Sequence, residues 1–390
     1  MLVDMFSRRW QGAVLRSIAI VCSIAALSAR TAIAQSADKA PSTAADELLR
    51  MGIAAQRQGD MRSAIEDYRK VLEIEPGMAE ARANLGVVLA AAGDFDSAIR
   101  EDIKVLENAP DRTAVRMNLA LAYYKKGDWS HAQREFATVH EARPGDVNAA
   151  MLLGYCDVKA GKAQEAAAML GPMERGLEGN PDFEYVLAYA LIESGKTVEG
   201  LPRMEKSAQA THSIDSWVIA GEARLQRREF HEALADLEEA LKTGPDFPGL
   251  QTMVGQARDA LGDADGALPA FEEALKQDPR DFTANLYLGT MRLKQRDLDG
   301  ARPLLELALQ LQPNMPQAKL QMAKLNGMTG KFAEAATTLE GLEKADPNWL
   351  DPHIELAAIY YKLHRPEDGK RERDIVQQIE TKQQQQGPKR

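Results

Sequence analysis

Histidines are the side chains of this sequence best suited to acid–base catalysis or metal binding. Either chemistry needs groups that converge, as two histidines one turn apart on a helix do. No such pair occurs, because the six histidines are scattered along the chain: His131, His140, His212, His231, His353 and His364. Glycine motifs for phosphates, dinucleotides or a serine nucleophile are absent as well. The sequence therefore predicts no enzyme, no cofactor and no metal site.

The two cysteines offer little redox chemistry. Cys22 lies in the N-terminal leader described below, so export would leave Cys156 as the single cysteine. One cysteine forms no disulfide within a chain, and stability must then come from packing. Cys156 is either a reactive thiol that bridges to another chain or a small buried side chain, and its place in a repeat favours the buried side chain.

Composition and charge exclude several classes of protein. Hydrophobic residues make up 45% and charged residues 27% of the 390 residues, which is typical of a soluble folded chain and not of a disordered or polytopic membrane protein. The net charge of −10 repels nucleic acid and anionic lipid, and no basic patch opposes it. The predicted partners are therefore other proteins or peptide segments, without nucleic acid.

The first 34 residues have the parts of a secretory signal peptide. Basic residues precede an apolar run at 17–29, and small residues end the segment before Gln35. The run is shorter than the ~20 residues of a membrane-spanning helix. We expect cleavage after Ala34, export to the periplasm or out of the cell, and no stable membrane span afterwards. The alternative is an uncleaved N-terminal segment that anchors the chain.

The rest of the chain repeats every 34 residues, once after 33. Each repeat has a glycine or alanine at its eighth position and another at its twentieth, and proline closes seven of the repeats. Ten such pairs at a nearly fixed period predict a repeat architecture. The eighth positions are Gly52, Gly86, Ala120, Gly154, Ala188, Gly221, Gly255, Gly289, Ala323 and Ala357.

Each repeat has the pattern of two helices. In the second repeat, Leu85, Gly86 and Leu89 recur at the spacing of one helix face. Gly93 and Asp94 then end the first helix and begin the second. Two helices approach closely only where the side chains between them are small. One pair buries too little surface to fold alone, so successive pairs must stack.

The pattern resembles the tetratricopeptide repeat, which is seen in the third unit as Leu119-Ala120, Tyr123, Ala132, Phe136 and Pro144. The resemblance implies an all-α fold, a right-handed superhelical solenoid of about ten helix-turn-helix units over 45–383. A linker at 35–44 precedes the solenoid, and a disordered polar tail at 384–390 follows it. The units begin near 45, 79, 113, 147, 181, 214, 248, 282, 316 and 350.

Two units depart from the pattern. The fourth has Gly171-Pro172 inside its second helix, and the fifth is one residue short with Gly200 at its twentieth position. Because proline inside a helix kinks or stops it, we expect the stack to bend or loosen near 171–181 and 200–213.

In this family the first helices line an inner groove, and the resemblance implies which side chains would contact a partner there. Units three to five place an apolar, aromatic stripe at the inner positions: Met117, Leu121, Tyr124, Met151, Tyr155, Tyr185 and Tyr189. Tyr and Met are residues that suit protein interfaces. The same side chains also suit packing between neighbouring first helices, and both interpretations stay open.

These observations predict a protein–protein interaction scaffold or adaptor of the cell envelope that binds a partner segment in the groove. One alternative is a structural protein that self-assembles by stacking the ends of its solenoid. The other is an enzyme with a site in the groove near units four and five.

Overall fold

The computed structural model describes residues 43–386, and these residues form 20 α-helices and no β-strand. The all-α prediction is confirmed. The predicted signal peptide at 1–34, most of the predicted linker, and residues 387–390 lie outside the described residues. The helices are α1 Ala44–Gln58, α2 Met61–Ile74, α3 Ala79–Ala91, α4 Phe95–Asn108, α5 Thr113–Lys126, α6 Trp129–Ala142, α7 Val147–Lys159, α8 Ala163–Leu170, α9 Pro181–Glu193, α10 Thr197–Thr211, α11 Ile214–Gln226, α12 Phe230–Thr243, α13 Leu250–Ala260, α14 Ala264–Gln277, α15 Phe282–Lys294, α16 Leu298–Leu311, α17 Pro316–Met328, α18 Phe332–Ala345, α19 Leu350–Lys362 and α20 Pro366–Gln386.

The chain divides into two compact units, of which the first ends at Ala223 and the second begins at Arg224. In the first unit α1, α3, α5, α7 and α9, and in the second α13, α15, α17 and α19, each pack on the even-numbered helix that follows, through a turn of two or three residues. The odd-numbered helix of a pair also contacts the second helix of the preceding pair. In the first unit this holds for α3, α5, α7 and α9, and in the second for α13, α15, α17 and α19. Each helix pair therefore buries its apolar faces on its neighbours.

Small residues at the eighth position let the two helices of a pair approach closely. A Cβ atom added to Gly52 would lie 2.8 Å from the Tyr68 ring, and one added to Gly154 would lie 2.7 Å from Leu170. The twentieth position faces the same contact from the second helix. Its alanines are fully buried at Ala64, Ala98, Ala132, Ala166, Ala233, Ala267, Ala301 and Ala335. The spacing that marks the repeat in the sequence is thus the spacing of this helix–helix contact.

The turn inside a pair follows from glycine and aspartate. Gly93 has φ +85°, the left-handed conformation that glycine adopts without strain. It follows the end of α3 and turns the chain toward α4. Asp94 then caps α4, because its carboxylate accepts a hydrogen bond from the Ser97 backbone N–H at 3.1 Å. Equivalent aspartate caps begin α2, α6, α14 and α16.

The two irregular units differ from each other. Helix α8 has only eight residues; a 3₁₀ turn at Gly171–Met173 follows it, and no further helix forms before Pro181. By contrast, α10 runs unbroken from Thr197 to Thr211 through Pro202, and of the segment where loosening was expected, 200–213, only the last two residues lie beyond the helix. The reason is close packing on α9, where a Cβ on Gly200 would meet the Ala188 carbonyl oxygen at 2.9 Å.

Helix α20 continues to Gln386, three residues past the end predicted for the solenoid. Its length and its polar sequence are those of a terminal helix with one solvated side. No helix among residues 43–386 combines the length and the apolar character needed to cross a membrane.

Gly255→Ala should lower the free energy of unfolding, because the added Cβ would lie 2.7 Å from the Phe271 ring. Overpacking of this kind costs ~1–3 kcal/mol. Gly341→Ala in α18 is the matched control, since no atom lies within 4 Å of its added Cβ. Alanine is favoured over glycine in a helix interior by ~0.5–1 kcal/mol. Urea titrations followed by circular dichroism should therefore shift in opposite directions, and shifts of the same sign would contradict the packing account.

Candidate partner-binding site

The structure brings all seven residues of the predicted stripe into one cluster in the first unit. Three of them are buried inside it, namely Tyr124, Met151 and Tyr155. The other four are partly buried and pack against that core: Met117, Leu121, Tyr185 and Tyr189. Packing and partner binding therefore apply to different residues of the stripe. The three buried side chains fill the interior, and the four partly buried ones keep some accessible surface.

Tyrosine rings form a ladder across three successive first helices. The Tyr155 ring on α7 lies 5.8 Å from the Tyr124 ring on α5 and 6.0 Å from the Tyr189 ring on α9, measured between centroids. Tyr185, one helical turn before Tyr189, stacks on it at 6.2 Å with the two planes 30° apart. Aromatic pairs at such distances contribute ~0.5–1.5 kcal/mol beyond their buried area. The ladder thus ties the partly buried rings of α9 to the buried rings of Tyr124 and Tyr155.

Trp129 belongs to the same cluster, although the sequence analysis did not select it. Its ring meets Tyr124 edge-on at 5.5 Å and Tyr155 at 6.0 Å. Trp129 is the first residue of α6, which is a second helix of a pair. The sequence analysis considered only inner positions of first helices, so it did not include Trp129.

Lys159, at the end of α7, places a cation against the tyrosine ladder. Its Nζ donates a hydrogen bond to the Tyr189 hydroxyl at 3.1 Å. The same Nζ lies 5.6 Å from the Tyr155 ring centroid and 5.2 Å from that of Tyr189, within the range of cation–π attraction. Burial lowers the pKa of Lys159, against the opposing effect of nearby carboxylates.

Three carboxyl groups from two further first helices act electrostatically on Lys159. Glu193 ends α9, while Asp215 and Glu222 lie on α11, and all three favour the charged form of Lys159. Asp215 is only 2% exposed, and its Oδ1 accepts no hydrogen bond from the described residues. Burial raises the pKa of Asp215 to about 6, against the lowering effect of Lys159. Burial also raises the pKa of Glu193.

A signal for these polar residues was present in the sequence. Lys159 and Glu193 occupy the thirteenth position of their repeats, which the family resemblance places on the inner surface. Asp215 and Glu222 occupy the second and ninth positions, which belong to the same set. Lys159 and Glu193 were missed because only apolar and aromatic side chains were selected from these positions in units three to five, and Asp215 and Glu222 were missed because unit six was not part of the selection.

A second cluster of ionisable side chains lies in the second unit, at Glu343, His353 and Glu372. Their potential ligand atoms lie within 4.8 Å of one another, a separation at which side chains could hold a metal ion. Both ring nitrogens of His353 are already engaged, however. Nδ1 lies 2.7 Å from Glu372 Oε2, and Nε2 donates to the Pro347 carbonyl oxygen at 3.1 Å. The geometry is that of a link between α19 and α20.

The same link recurs in other repeats with arginine in place of histidine. Arg82 donates to Glu101 at 2.6 Å and to the Pro76 carbonyl oxygen at 2.6 Å. Arg116 does so with Glu135 and with the carbonyl oxygen of Pro110. In all three repeats the two side chains are 19 residues apart. The His353–Glu372 pair is therefore a structural element of the repeat.

Comparison with protein families gives matches over more than half of the chain. Two tetratricopeptide repeat models match, one at residues 49–113, 117–170 and 252–316 and the other at residues 292–359. Neither indicates a catalytic family. Among curated proteins, no sequence matches the chain.

The solved structures to which the chain is similar are remote from it in sequence. A tetratricopeptide repeat protein from Parabacteroides merdae is 16% identical with a TM-score of 0.50, over 63% of this chain and 97% of that one. Human IFIT1, solved as a dimer with m7Gppp-AAAA, is 13% identical with a TM-score of 0.44, over 87% and 91% of the two chains. MamA from Desulfovibrio magneticus is 21% identical with a TM-score of 0.38, over 44% and 96%. At such identities the likeness concerns the fold alone.

Asp215→Asn should change how stability depends on pH. The folded protein holds the Asp215 proton up to about pH 6, whereas an unfolded chain releases it near pH 3.8. The wild-type protein therefore loses stability as the pH rises between these values, and the asparagine variant does not share this loss. The difference in free energy of unfolding should grow from near zero at acid pH to as much as ~3 kcal/mol at neutral pH in favour of the variant. Denaturant titrations of both proteins across this range measure it, and a difference independent of pH would contradict the account.

Proposed function

The chain belongs to the tetratricopeptide repeat family, whose fold commonly mediates protein–protein interaction, and we propose that it is an interaction scaffold of the cell envelope. Its first unit binds a segment of a partner protein at the tyrosine surface, the partly buried side of the aromatic cluster: Met117, Leu121, Tyr185 and Tyr189. The observation that carries the proposal is the stacked Tyr185–Tyr189 pair, which keeps accessible surface while it rests on buried rings.

The buried members of the stripe support this surface from below. Tyr124 and Tyr155 are each only 2% exposed and Met151 is buried as well, so a partner meets none of them directly. Of the seven residues, only the four partly buried ones therefore offer surface to a partner. Aromatic side chains held in place lose little conformational entropy when a partner binds. The ladder therefore makes Tyr185 and Tyr189 ready to receive an apolar side chain.

Charge around the tyrosine surface favours a particular kind of partner. Glu193, Asp215 and Glu222 outnumber Lys159, the cation whose charge they influence. An interface of this sign attracts a segment that carries lysine or arginine and repels an acidic one. The accessible parts of the partly buried Tyr185 and Tyr189 rings also attract cationic groups. The proposed ligand is thus a segment with an apolar or aromatic anchor next to a basic residue.

The cell-envelope assignment rests on the leader. A basic start, a short apolar run and small residues before Gln35 form an export signal at the N-terminus. With the leader removed, the acidic chain lacks features that favour nucleic acid or anionic lipid. Its partners are accordingly proteins of the periplasm or the cell surface.

A Tyr185→Ala/Tyr189→Ala variant should lose its partner. Both side chains lie at the tyrosine surface, and aromatic anchors of an interface contribute ~2 kcal/mol or more each, so capture should fall by at least about tenfold. The tagged full chain is expressed in its own cells, crosslinked in the envelope and recovered, and the captured proteins are quantified by mass spectrometry. Circular dichroism of the purified variant checks that its helix content is unchanged.

The matched control is Tyr287→Ala, which removes a partly buried tyrosine stacked on Phe271 at 5.2 Å in the second unit. This variant should capture the same protein as wild type. If both variants capture it equally well, binding does not use the tyrosine surface. Loss of capture with the control alone would place the site in the second unit.

The exported protein should begin at Gln35, because the small residues Ala32 and Ala34 stand at the positions that signal peptidases select. Intact mass measurement of the chain recovered from the envelope fraction determines its N-terminus. A chain that retains Met1 and stays in the membrane fraction would contradict cleavage and support the anchored form.

A further inference from the structure

The junction between consecutive helix pairs has the same construction along the chain. The seventh residue of each repeat lies on the side of its first helix that faces the preceding pair. Leu356, for example, joins Leu339 and Leu342 of α18 in one buried cluster. The tenth residue faces the same way: Ile359 lies close enough to Gly327 of α17 that a Cβ there would be 2.9 Å from it.

The tenth position is buried in every repeat that has a preceding pair, and the seventh is buried in all of these except the ninth, where Met322 is partly buried. The seventh residue is at most 5% exposed at Leu85, Leu119, Leu153, Leu187, Ala220, Val254, Leu288 and Leu356. The tenth is at most 7% exposed at Val88, Ala122, Cys156, Ala190, Ala223, Ala257, Met291, Leu325 and Ile359. In the first repeat the corresponding side chains are those of Met51, which is 57% exposed, and Ala54, which is also exposed. We call this side of α1 the head face.

In the last described pair, α19 and α20, the surface that a following pair would cover is exposed. A groove of about 380 Å³ lies between α19 and α20, lined by Ile354, Ala357, Ala358, Tyr361, Arg373 and Val376. We call it the tail groove. Ile354 is 45% exposed and Tyr361 is 39% exposed. The residues one repeat earlier than Ile354 and Val376 are Leu320 and Leu342, which are 4% and 5% exposed because α19 covers them.

The two faces also carry complementary charges. The third residue of a repeat is buried in every later repeat, for instance at Ala81 and Ala318, but in the first repeat it is the exposed Glu47. In the tail groove Arg373 takes the place of the buried Leu339, with its guanidinium 4.4 Å from the Tyr361 ring centroid. Third-position residues pack beside the counterpart of Val376, as Ala81 does with Val71. Arg373 lies one helical turn from Val376, so a helix seated in the groove brings Glu47 within reach of Arg373.

We propose that the head face of one copy of this chain docks in the tail groove of a second copy, with Met51 in the place that Leu356 takes at an internal junction. The occupant is argued from the internal junctions, where the same kind of groove is filled by the same side of a first helix. The two contacting faces are different, so the association is head to tail and leaves a free head and a free tail. It goes beyond the proposed function, because it does not involve the tyrosine surface.

The test measures the mass of the full chain in solution as its concentration is raised to about 100 μM, far above a micromolar Kd. Wild type should form dimers and longer assemblies. Met51→Asp and Ile354→Asp should each weaken association by at least about tenfold, since each places a carboxylate in an apolar contact. Val198→Asp is the matched control, because Val198 is 69% exposed and lies on neither face. Wild type that stays monomeric, or association unchanged in both variants, overturns the proposal.

Mixing the two variants separates head-to-tail docking from other arrangements. Met51→Asp keeps an intact tail groove and Ile354→Asp keeps an intact head face, so an equimolar mixture should form dimers and nothing larger. Association of the chain through two tail grooves would instead leave Met51→Asp as competent as wild type and the mixture without rescue. Either result overturns the head-to-tail arrangement.

A charge exchange keeps the proposal falsifiable if Ile354→Asp does not fold. Arg373→Glu should weaken association by repulsion from Glu47, and Glu47→Arg in the same chain should restore it. Both side chains are exposed, so neither change disturbs the core. Failure of the double variant to recover association overturns the proposed contact. A tail groove filled by residues 1–42 of its own chain would leave every variant monomeric, which also overturns it.

Discussion

Close contact between the two helices of each pair is the constraint on which the rest of the structure depends. A glycine or alanine at the eighth position and a buried alanine at the twentieth bring the helices so near that larger side chains do not fit. The pair then presents two narrow apolar faces that only another pair can cover. Stacking, inner surfaces and uncovered ends all follow from that requirement. Binding surfaces on such a chain arise wherever successive first helices place suitable side chains side by side.

The fold was predictable because its decisive contacts recur at fixed spacing. Gly255 and Ala267 each have equivalents in nine other repeats, so their role is visible without coordinates. Features that depart from the pattern in one repeat were not predictable in the same way. Asp102 occupies the position where other repeats have Tyr68 or Phe136, yet it is 1% exposed, and burial raises its pKa to about 8. Pro202, by contrast, occupies a repeat position that Pro269 and Pro303 share in α14 and α16, and all three helices continue through their proline.

The sequence indicated which helices carry the candidate site, but it did not indicate which of the side chains there are buried. Family positions selected seven residues that the structure brings into one cluster. Which of them stay accessible depends on the size of neighbours on adjacent helices, and a one-dimensional pattern does not contain that information. Tyr155 is covered by Tyr124, Trp129 and Tyr189 together, and these come from three different helices. Lys159 and Asp215 likewise acquire their perturbed pKa values from burial among residues far apart in sequence.

Hydrogen–deuterium exchange of the chain with and without its envelope partner tests the central claim most directly, because it maps contacts without altering a side chain. The account predicts that partner binding slows exchange in peptides from α5, α7 and α9, around Leu121, Lys159 and Tyr189. Peptides from the second unit, 224–386, should exchange at unchanged rates. Protection confined to the second unit, with α7 and α9 unaffected, would contradict binding at the tyrosine surface.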